Sequence, residues 1–218
     1  RCTRRALHNA SIVSGRDGHT PNAKPQRAMT LSAICGGKFF ARRHGDGVPN
    51  VVALHGWGRT GADFDASLRT FNALAIDLPG FGATPEPTTA WTTADYATAL
   101  SDVLDEMDRP VIVVGHSFGG RVAVHLAQQR RSAIAGLVLT GVPLLHRTNR
   151  PNTSPRSFRL GKQLHKVGLV SDERMEALRN KYGSADYRAA HGVMRDILVK
   201  AVNESYEEQL HAITCPVE

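Results

Sequence analysis

Residues 111–120 read VIVVGHSFGG, and this stretch decides the fold class of the sequence. The β-branched run at 111–114 is typical of a buried strand in a parallel sheet. Residues 115–119 match G-x-S-x-G, in which a serine lies on a sharp turn between a strand and a helix. Apolar residues at helical spacing follow from Arg121 to Arg130. The order is therefore strand, sharp turn and helix, with Ser117 at the turn as a candidate nucleophile.

Strands and helices alternate on both sides of this unit. A capping box formed by Thr92 and Asp95 opens a crossover helix before the strand that leads to Ser117. Three more β-branched or apolar runs are predicted as buried strands: Asn50 to Leu54, Ala73 to Ile76, and Ile134 to Leu139. This alternation predicts an α/β fold with a mostly parallel sheet and helices on both faces.

The segments outside these strands have a different texture. Two short apolar runs between Leu31 and Arg43 flank Gly36-Gly37, which predicts an antiparallel hairpin at the edge of the sheet. From residue 143 to 210 only short helices are indicated. Their boundaries are marked by Ser154-Pro155, by Ser171 and by Gly183. This inserted segment is predicted to form a helical cap over the edge of the sheet.

Four regions follow from these patterns. They are a disordered or non-native leader at 1–28, an α/β core at 29–142, a helical cap at 143–211, and the start of the next core strand at 212–218. The last region reads ITCPVE from Ile213, and a domain should not stop at the beginning of a strand. We therefore expect the chain to be truncated there, with at least one strand and one helix missing.

Charge and cysteine content exclude several classes of partner. The formal net charge is +7, but residues 1–28 hold six basic residues against one acid, which leaves +2 for the rest. A nearly neutral body without basic and aromatic residues interleaved argues against nucleic-acid binding. No apolar stretch approaches the ~20 residues that span a bilayer, so no membrane association is expected. The three cysteines show no metal-ligand spacing, which favours a reduced, cytoplasmic setting, and we expect no metal and no cofactor.

The leader allows two interpretations. Residue 1 is Arg, whereas Met29 stands just before the first patterned segment, so residues 1–28 can be translated upstream sequence or a disordered tail. An acid-poor leader with Arg, Ser and Thr also occurs in organelle transit peptides, but this one has no apolar face at helical spacing.

The backbone around Ser117 is suited to stabilising an oxyanion. At a helix N-terminus the free N–H groups and the helix dipole favour negative charge, so the Phe118 N–H is a candidate donor. A second donor is the Trp57 N–H, in the loop His55-Gly56-Trp57-Gly58 that follows an apolar strand. Each such donor lowers the barrier by about 3 kcal/mol.

The sequences HGWG from His55, DLPGFG from Asp77 and GHSFGG from Gly115, in this order, resemble the α/β-hydrolase superfamily, and the likeness extends from Leu31 to Glu218. It is greatest to the cap-bearing serine esterases and carbon–carbon-bond hydrolases. The resemblance implies a nucleophile at Ser117 and oxyanion donors at Trp57 and Phe118. It also implies an acid and a histidine that follow the nucleophile in the chain. No position of this sequence matches either, so both are expected beyond residue 218, and the fragment is expected to be inactive as given.

Other residues of these motifs have supporting roles. Gly115, Gly119 and Gly56 leave room for close backbone approach, His116 shapes the turn, and His55 orders the oxyanion loop. The resemblance implies that Asp77 stabilises its own loop rather than acting as the catalytic acid. The later histidines can each be proposed as a substitute base, but surface or packing roles explain them better: His125, His146, His165, His191 and His211.

Two function classes remain open. The leading hypothesis is a hydrolase of small carboxylic esters that forms an acyl-enzyme on Ser117. A serine at this position argues against the epoxide hydrolases and haloalkane dehalogenases, which use Asp. A lyase or acyltransferase on the same turn is an alternative. The rival class is a non-catalytic protein that binds a small apolar ligand under the cap, with a Ser117 that no longer reacts. A separate alternative for Ser117 itself is an ordinary helix N-cap. Nothing in the sequence sets the oligomeric state.

Overall fold

The computed structural model describes residues 30–145, 158, 160, 163–165 and 167–218. The predictions for the leader at 1–28, for the Ser154-Pro155 helix start and for His146 lie outside the described residues. The described residues contain six strands: β1 Leu31–Ile34, β2 Phe39–His44, β3 Val51–Leu54, β4 Ala73–Asp77, β5 Val111–His116 and β6 Ile134–Thr140. The described helices are α1 Thr93–Asp105, α2 Phe118–Gln129, α3 Asp172–Tyr182, α4 Ala185–Ala189, α5 Gly192–Asn203 and α6 Glu207–Ala212.

The strands form one sheet in the order β1-β2-β4-β3-β5-β6. The four strands β4, β3, β5 and β6 run parallel, whereas β1 pairs antiparallel with β2, and β2 with β4. The antiparallel pair predicted between Leu31 and Arg43 is therefore confirmed at the sheet edge. The mostly parallel sheet is confirmed as well. Because β3 and β5 are parallel neighbours with Leu54 opposite Gly115, the loops that follow them emerge side by side.

The helix boundaries follow the local sequence signals. The predicted capping box is present at α1, where the Thr92 hydroxyl accepts from the Asp95 N–H and the Asp95 carboxylate accepts from the Thr92 N–H. At α3 the Ser171 side chain caps the Arg174 N–H, and the Gly183 N–H donates to the Arg179 oxygen at the other end. The starts and ends predicted from Thr92, Ser171 and Gly183 are all confirmed.

Helices cover the two faces of the sheet unequally. Both α1 and α2 pack on the face that carries Val52, Leu54 and Val113, and together they form the larger core cluster. The opposite face carries Val51, Ala53, Ala73 and Ala75, and a short 3-10 helix, Gly61–Phe64, lies against it with Leu68. Sequence reasoning did not identify this 3-10 helix. The sheet is stabilised mainly by burial of apolar surface on both faces, which contributes about 25 cal/mol per Å².

The helices after β6 are attached to the core by side chains. The buried Thr93 hydroxyl, at the start of α1, hydrogen-bonds the Glu204 carboxylate and lies 3.0 Å from the Tyr206 hydroxyl. The Tyr206 hydroxyl also donates to Glu204 at 2.7 Å. From α2, Arg121 donates to the Ala201 oxygen. The joint between α5 and α6 is therefore fixed to the first turns of both core helices.

Residues 216–218 lie beside β6. Val217 pairs in parallel with Leu137, the Leu137 N–H donates to the Pro216 oxygen at 2.9 Å, and the Leu139 N–H donates to the Glu218 oxygen at 2.8 Å. Over the part of the chain that the structure describes, no helix has the length and apolarity required to cross a membrane.

Candidate active site

Ser117 lies on a strained turn between β5 and α2. Its backbone has φ 50° and ψ −108°, a conformation that residues other than glycine rarely adopt. Such a residue costs on the order of 1–3 kcal/mol, and strain of this kind concentrates at functional sites. The Ser117 N–H donates to the Thr140 oxygen of β6 at 3.0 Å, and the Ser117 oxygen accepts from the Arg121 N–H. The turn is therefore held from both sides, and the side chain is half-buried at the head of α2.

Two glycines make this turn possible because other backbone lies where a side chain would be. A Cβ at Gly119 would overlap the carbonyl groups of Leu54 and His55. A Cβ at Gly115 would come within 2.5 Å of the Gly120 Cα. The Gly119 N–H also donates to the His55 oxygen at 3.0 Å, which joins the first turn of α2 to the end of β3.

Two backbone N–H groups lie free beside the turn. The Phe118 N–H is the first of α2 and so has no acceptor inside the helix. Among the described residues, no acceptor is found for it or for the Trp57 N–H. The Trp57 loop approaches Ser117 closely, since a Cβ at Gly56 would be 3.5 Å from the Ser117 Cβ. Both N–H groups are thus available to a negatively charged oxygen at the serine.

His55 is fully buried and uses both ring nitrogens in hydrogen bonds. Its Nε2 accepts from the Leu78 N–H at 2.9 Å, so Nδ1 carries the proton and donates to the Gly56 oxygen at 2.8 Å. Burial lowers the pKa of this imidazole, which keeps the ring neutral. His55 therefore links the loop after β3 to the loop after β4 and has no nitrogen free to accept a proton from Ser117.

Asp77, at the end of β4, is also fully engaged. Its Oδ1 accepts from the Gly61 N–H at 2.8 Å, and its Oδ2 accepts from the Ala83 N–H at 3.0 Å. The side chain is buried. A carboxylate bound to two backbone donors fixes the geometry of two loops, one of which is the Asp77 loop that the family resemblance implies it stabilises.

The histidines are distributed over several parts of the molecule. The exposed His116 ring lies against Gly56, where a Cβ would be 2.8 Å from its Nδ1. His125 packs against the Tyr206 ring, and the His165 ring lies 2.7 Å from the Asp172 carboxylate. His211 is exposed on α6. No described residue forms a hydrogen bond with the Ser117 hydroxyl, so none of these rings is placed as its base.

A cavity of about 300 Å³ adjoins the Trp57 loop. The loops after β3 and β4 form one side, which we call the core side. The other side is formed by α4, the start of α5 and the residues between them, and we call it the cap side after the predicted cap. Its lining residues are Trp57, Gly58, Gly80, Phe81, Glu86, Asp186, Ala189, Ala190, His191 and Met194. Phe81 and Trp57 make an edge-to-face contact at 5.0 Å, and Trp57 makes another with Phe118 at 5.2 Å. The cavity wall is therefore in contact with the residue that follows Ser117.

Sequence reasoning grouped the residues of the turn and the Trp57 loop, and the structure brings this group together at the ends of β3 and β5. It missed the cavity residues Phe81, Glu86, Asp186 and Met194. Phe81 lies in the DLPGFG loop that the sequence marks as irregular, so a signal for it was present. Glu86 lies far from Asp186 and Met194 in the chain, and no local sequence pattern relates it to them. No group of three His, Cys, Asp or Glu side chains in the described residues could hold a metal ion.

Comparisons with known proteins agree with this architecture. The model of the alpha/beta hydrolase family matches residues 51–212, which is most of the chain. A solved structure of an epoxide hydrolase covers 87% of this chain and 80% of its own, at 21% identity and a TM-score of 0.56. That likeness shows the fold alone. Together with the sheet order and the turn at Ser117, the family match shows that the chain belongs to the alpha/beta hydrolase family.

Two curated relatives are similar over shorter stretches. Lipase LipV of Mycobacterium tuberculosis is 41% identical over 106 residues, which are 46% of this chain and 40% of the lipase. A pimeloyl-acyl-carrier-protein methyl ester esterase of Neisseria meningitidis is 34% identical over 101 residues, which are 44% of this chain and 37% of the esterase. The matched stretches span about two fifths of the length of these relatives.

Proposed function

We propose that this protein is a serine hydrolase of carboxylic esters and that Ser117 is its nucleophile. The observation that carries the proposal is the strained Ser117 turn, which has two unpaired backbone N–H groups beside it. A side chain that only capped α2 would accept a hydrogen bond from the first turn of the helix, and the Ser117 side chain makes none. The names of the two curated relatives, a lipase and a methyl ester esterase, favour the same substrate class.

The reaction would proceed in two steps. The Ser117 Oγ attacks the ester carbonyl and loses its proton to a general base, while the carbonyl oxygen becomes an oxyanion that accepts from the Trp57 and Phe118 N–H groups. The tetrahedral intermediate collapses, the carbon–oxygen bond to the alcohol breaks, and the base returns the proton to the alcohol. Water then attacks the acyl-enzyme by the same route and releases the free acid.

The general base and its carboxylate partner belong, on this proposal, to sequence that follows Glu218 in the whole protein. Three observations favour this. His55 has both nitrogens occupied, Asp77 has both oxygens occupied, and no described histidine reaches the Ser117 hydroxyl. Residues 216–218 already pair with β6, so sequence that continues this strand would emerge at the same edge of the sheet as Ser117.

The test is turnover of short-chain esters by the protein expressed from its complete gene. We expect one free acid and one alcohol per ester, and a loss of activity in Ser117→Ala of at least about 10³-fold, since removing a triad member leaves only residual catalysis. Acid production that persists in Ser117→Ala would contradict the proposal. An alcohol released without free acid would favour the acyltransferase alternative.

The rival is a non-catalytic protein that binds a small ligand in the 300 Å³ cavity. The cavity favours a binding protein as much as an enzyme, because both need a cavity for their ligand. The unpaired N–H groups at Trp57 and Phe118 favour the enzyme, since a binding protein has no need of an oxyanion site. The cytoplasmic location and the absence of a nucleic-acid partner stay predictions.

A further inference from the structure

The cavity beside the Trp57 loop has a charge of opposite sign to that of the protein. The chain carries +7, yet the described residues that line the cavity include two carboxylates, Glu86 and Asp186, and no Lys or Arg. Among these described lining residues, only His191 can become cationic. A substrate pocket of this composition disfavours an anionic ligand group, whatever its shape.

Of the three basic residues that adjoin lining residues in the sequence, Arg59 and Arg195 are neutralised by carboxylates, and the exposed Arg188 is not. Arg59, next to Gly58, forms a two-point ion pair with Asp63, at 2.7 Å for each contact. Arg195, which donates to the Ala190 oxygen at 2.8 Å, is paired with Glu176. The described residues offer neither Glu86 nor Asp186 a cationic partner. The two carboxylates are therefore available to a cation that enters the cavity.

The rest of the lining suits the apolar surface of such a cation. Trp57 and Phe81 stand nearly perpendicular, with an interplanar angle of 82°, and so form two aromatic walls. Met194 and two alanines complete the apolar surface. Aromatic faces attract cations through the ring quadrupole, and alkylammonium groups combine a positive charge with an apolar surface.

We propose that this cavity holds an alkylammonium group of the ester substrate, with Glu86 and Asp186 selecting it over uncharged and anionic groups of the same shape. The inference rests on the proposed ester hydrolase function, because it assigns the cavity to a part of that substrate. Trp57 connects the two sites. Its ring lines the cavity, and its N–H is one of the two oxyanion donors.

The expected selectivity is moderate. Both carboxylates are exposed at the rim, where each ion pair contributes little, and water screens the cation–π contribution. Together these contributions correspond to about tenfold tighter binding of an alkylammonium group than of an uncharged group of the same shape. Salt should weaken the preference, because exposed charges are screened over about 10 Å at 0.1 M ionic strength.

Binding is measured on Ser117→Ala of the whole protein, so that no ester is consumed. Three butyrate esters serve as probes: butyrylcholine, its uncharged isostere neohexyl butyrate, and the anionic sulfopropyl butyrate. The indole N–H resonance of Trp57, one of two tryptophans, reports on occupancy of the cavity. We expect butyrylcholine to bind about tenfold more tightly than neohexyl butyrate, and sulfopropyl butyrate to bind the least tightly.

A matched pair of variants identifies the origin of the preference. In Glu86→Gln with Asp186→Asn, the preference should fall below about twofold. The control, Glu208→Gln with Asp108→Asn, makes the same change of net charge at exposed positions outside the cavity and should retain it. Equal affinity for the first two esters, a preference that survives in the cavity variant, or no shift of the Trp57 resonance would each overturn the inference. Because Ser117 is absent from this assay, such a failure is separate from a failure of ester hydrolysis.

Discussion

The two sides of the cavity are built differently. The core side is fixed by backbone groups: Gly119 packs onto the carbonyl groups that end β3, and the Ser117 N–H is bonded to β6. The cap side is fixed by side chains, of which the Thr93, Glu204 and Tyr206 cluster is the most buried. The close backbone contacts at Gly119 leave no room for a larger side chain, whereas the cluster depends on the hydrogen bonds of three side chains. We therefore expect substitutions on the core side to have the larger effects.

The largest effect is expected on the core side, from Gly119→Ala. The added Cβ would overlap the carbonyl groups of Leu54 and His55, which belong to rigid backbone and cannot move aside. We expect the free energy of unfolding to fall by about 3 kcal/mol, at the upper end for overpacking, together with loss of Ser117 reactivity. Urea denaturation measures the first effect.

Gly36→Ala is the control for this substitution. Unlike Gly119, which lies within α2, Gly36 has a positive φ of 64°, and no atom lies within 4 Å of the position of its Cβ. In Gly36→Ala the free energy of unfolding should fall by only about 1 kcal/mol, which is the cost of placing a residue other than glycine in the left-handed region. The variant should keep the reactivity of Ser117. If the two variants lose equal stability, close packing is not what requires a glycine at 119.

A smaller effect is expected on the cap side, from Tyr206→Phe. The variant removes a buried hydroxyl that donates to Glu204 and lies beside the Thr93 hydroxyl. We expect the free energy that protects the α5 amides from hydrogen exchange to fall by about 1.5 kcal/mol, because the variant loses a hydrogen bond to a charged group. Tyr187→Phe is the matched control, because the Tyr187 hydroxyl donates to Glu176 on the less buried side of the cap. Equal losses in both variants would show that the buried cluster does not attach the cap.

A change of pH is expected to have the smallest effect on the free energy of unfolding. Burial lowers the pKa values of His44, His55 and His125 in the folded protein, and for His44 this outweighs the Asp65 carboxylate 3.7 Å away. As the pH falls below the unfolded pKa of about 6.5, the unfolded chain binds protons that the folded protein does not. The free energy of unfolding should therefore decrease from pH 7 towards pH 5, and the decrease should end once the folded histidines are protonated.

Urea midpoints at constant ionic strength measure this dependence. His44→Gln should reduce the loss of stability, because it removes one of the three imidazoles whose pKa is lowered by burial, whereas His211→Gln at an exposed position should leave the loss unchanged. Constant stability between pH 7 and pH 5 would contradict the assignment of neutral, buried histidines.

The core side of the site could be predicted from the sequence, whereas the cavity could not. The strand that ends at His116, the Ser117 turn and the capping box at Thr92 each depend on residues within a few positions of one another, so local patterns predict them. Glu86 and Asp186 line the same cavity but belong to distant parts of the chain, and no periodicity of the sequence relates residues so far apart. The 3-10 helix Gly61–Phe64 was missed for another reason: four residues are too few to show a helical period.

Reaction with a fluorophosphonate tests most directly whether Ser117 is an activated nucleophile. The protein expressed from its complete gene is labelled and digested, and the modified peptide is located by mass spectrometry. We predict one adduct, on the peptide that contains Ser117, and none in Ser117→Ala. An unmodified Ser117 in a folded, complete protein would show that it is not a nucleophile and would favour a protein that binds its ligand without reacting with it.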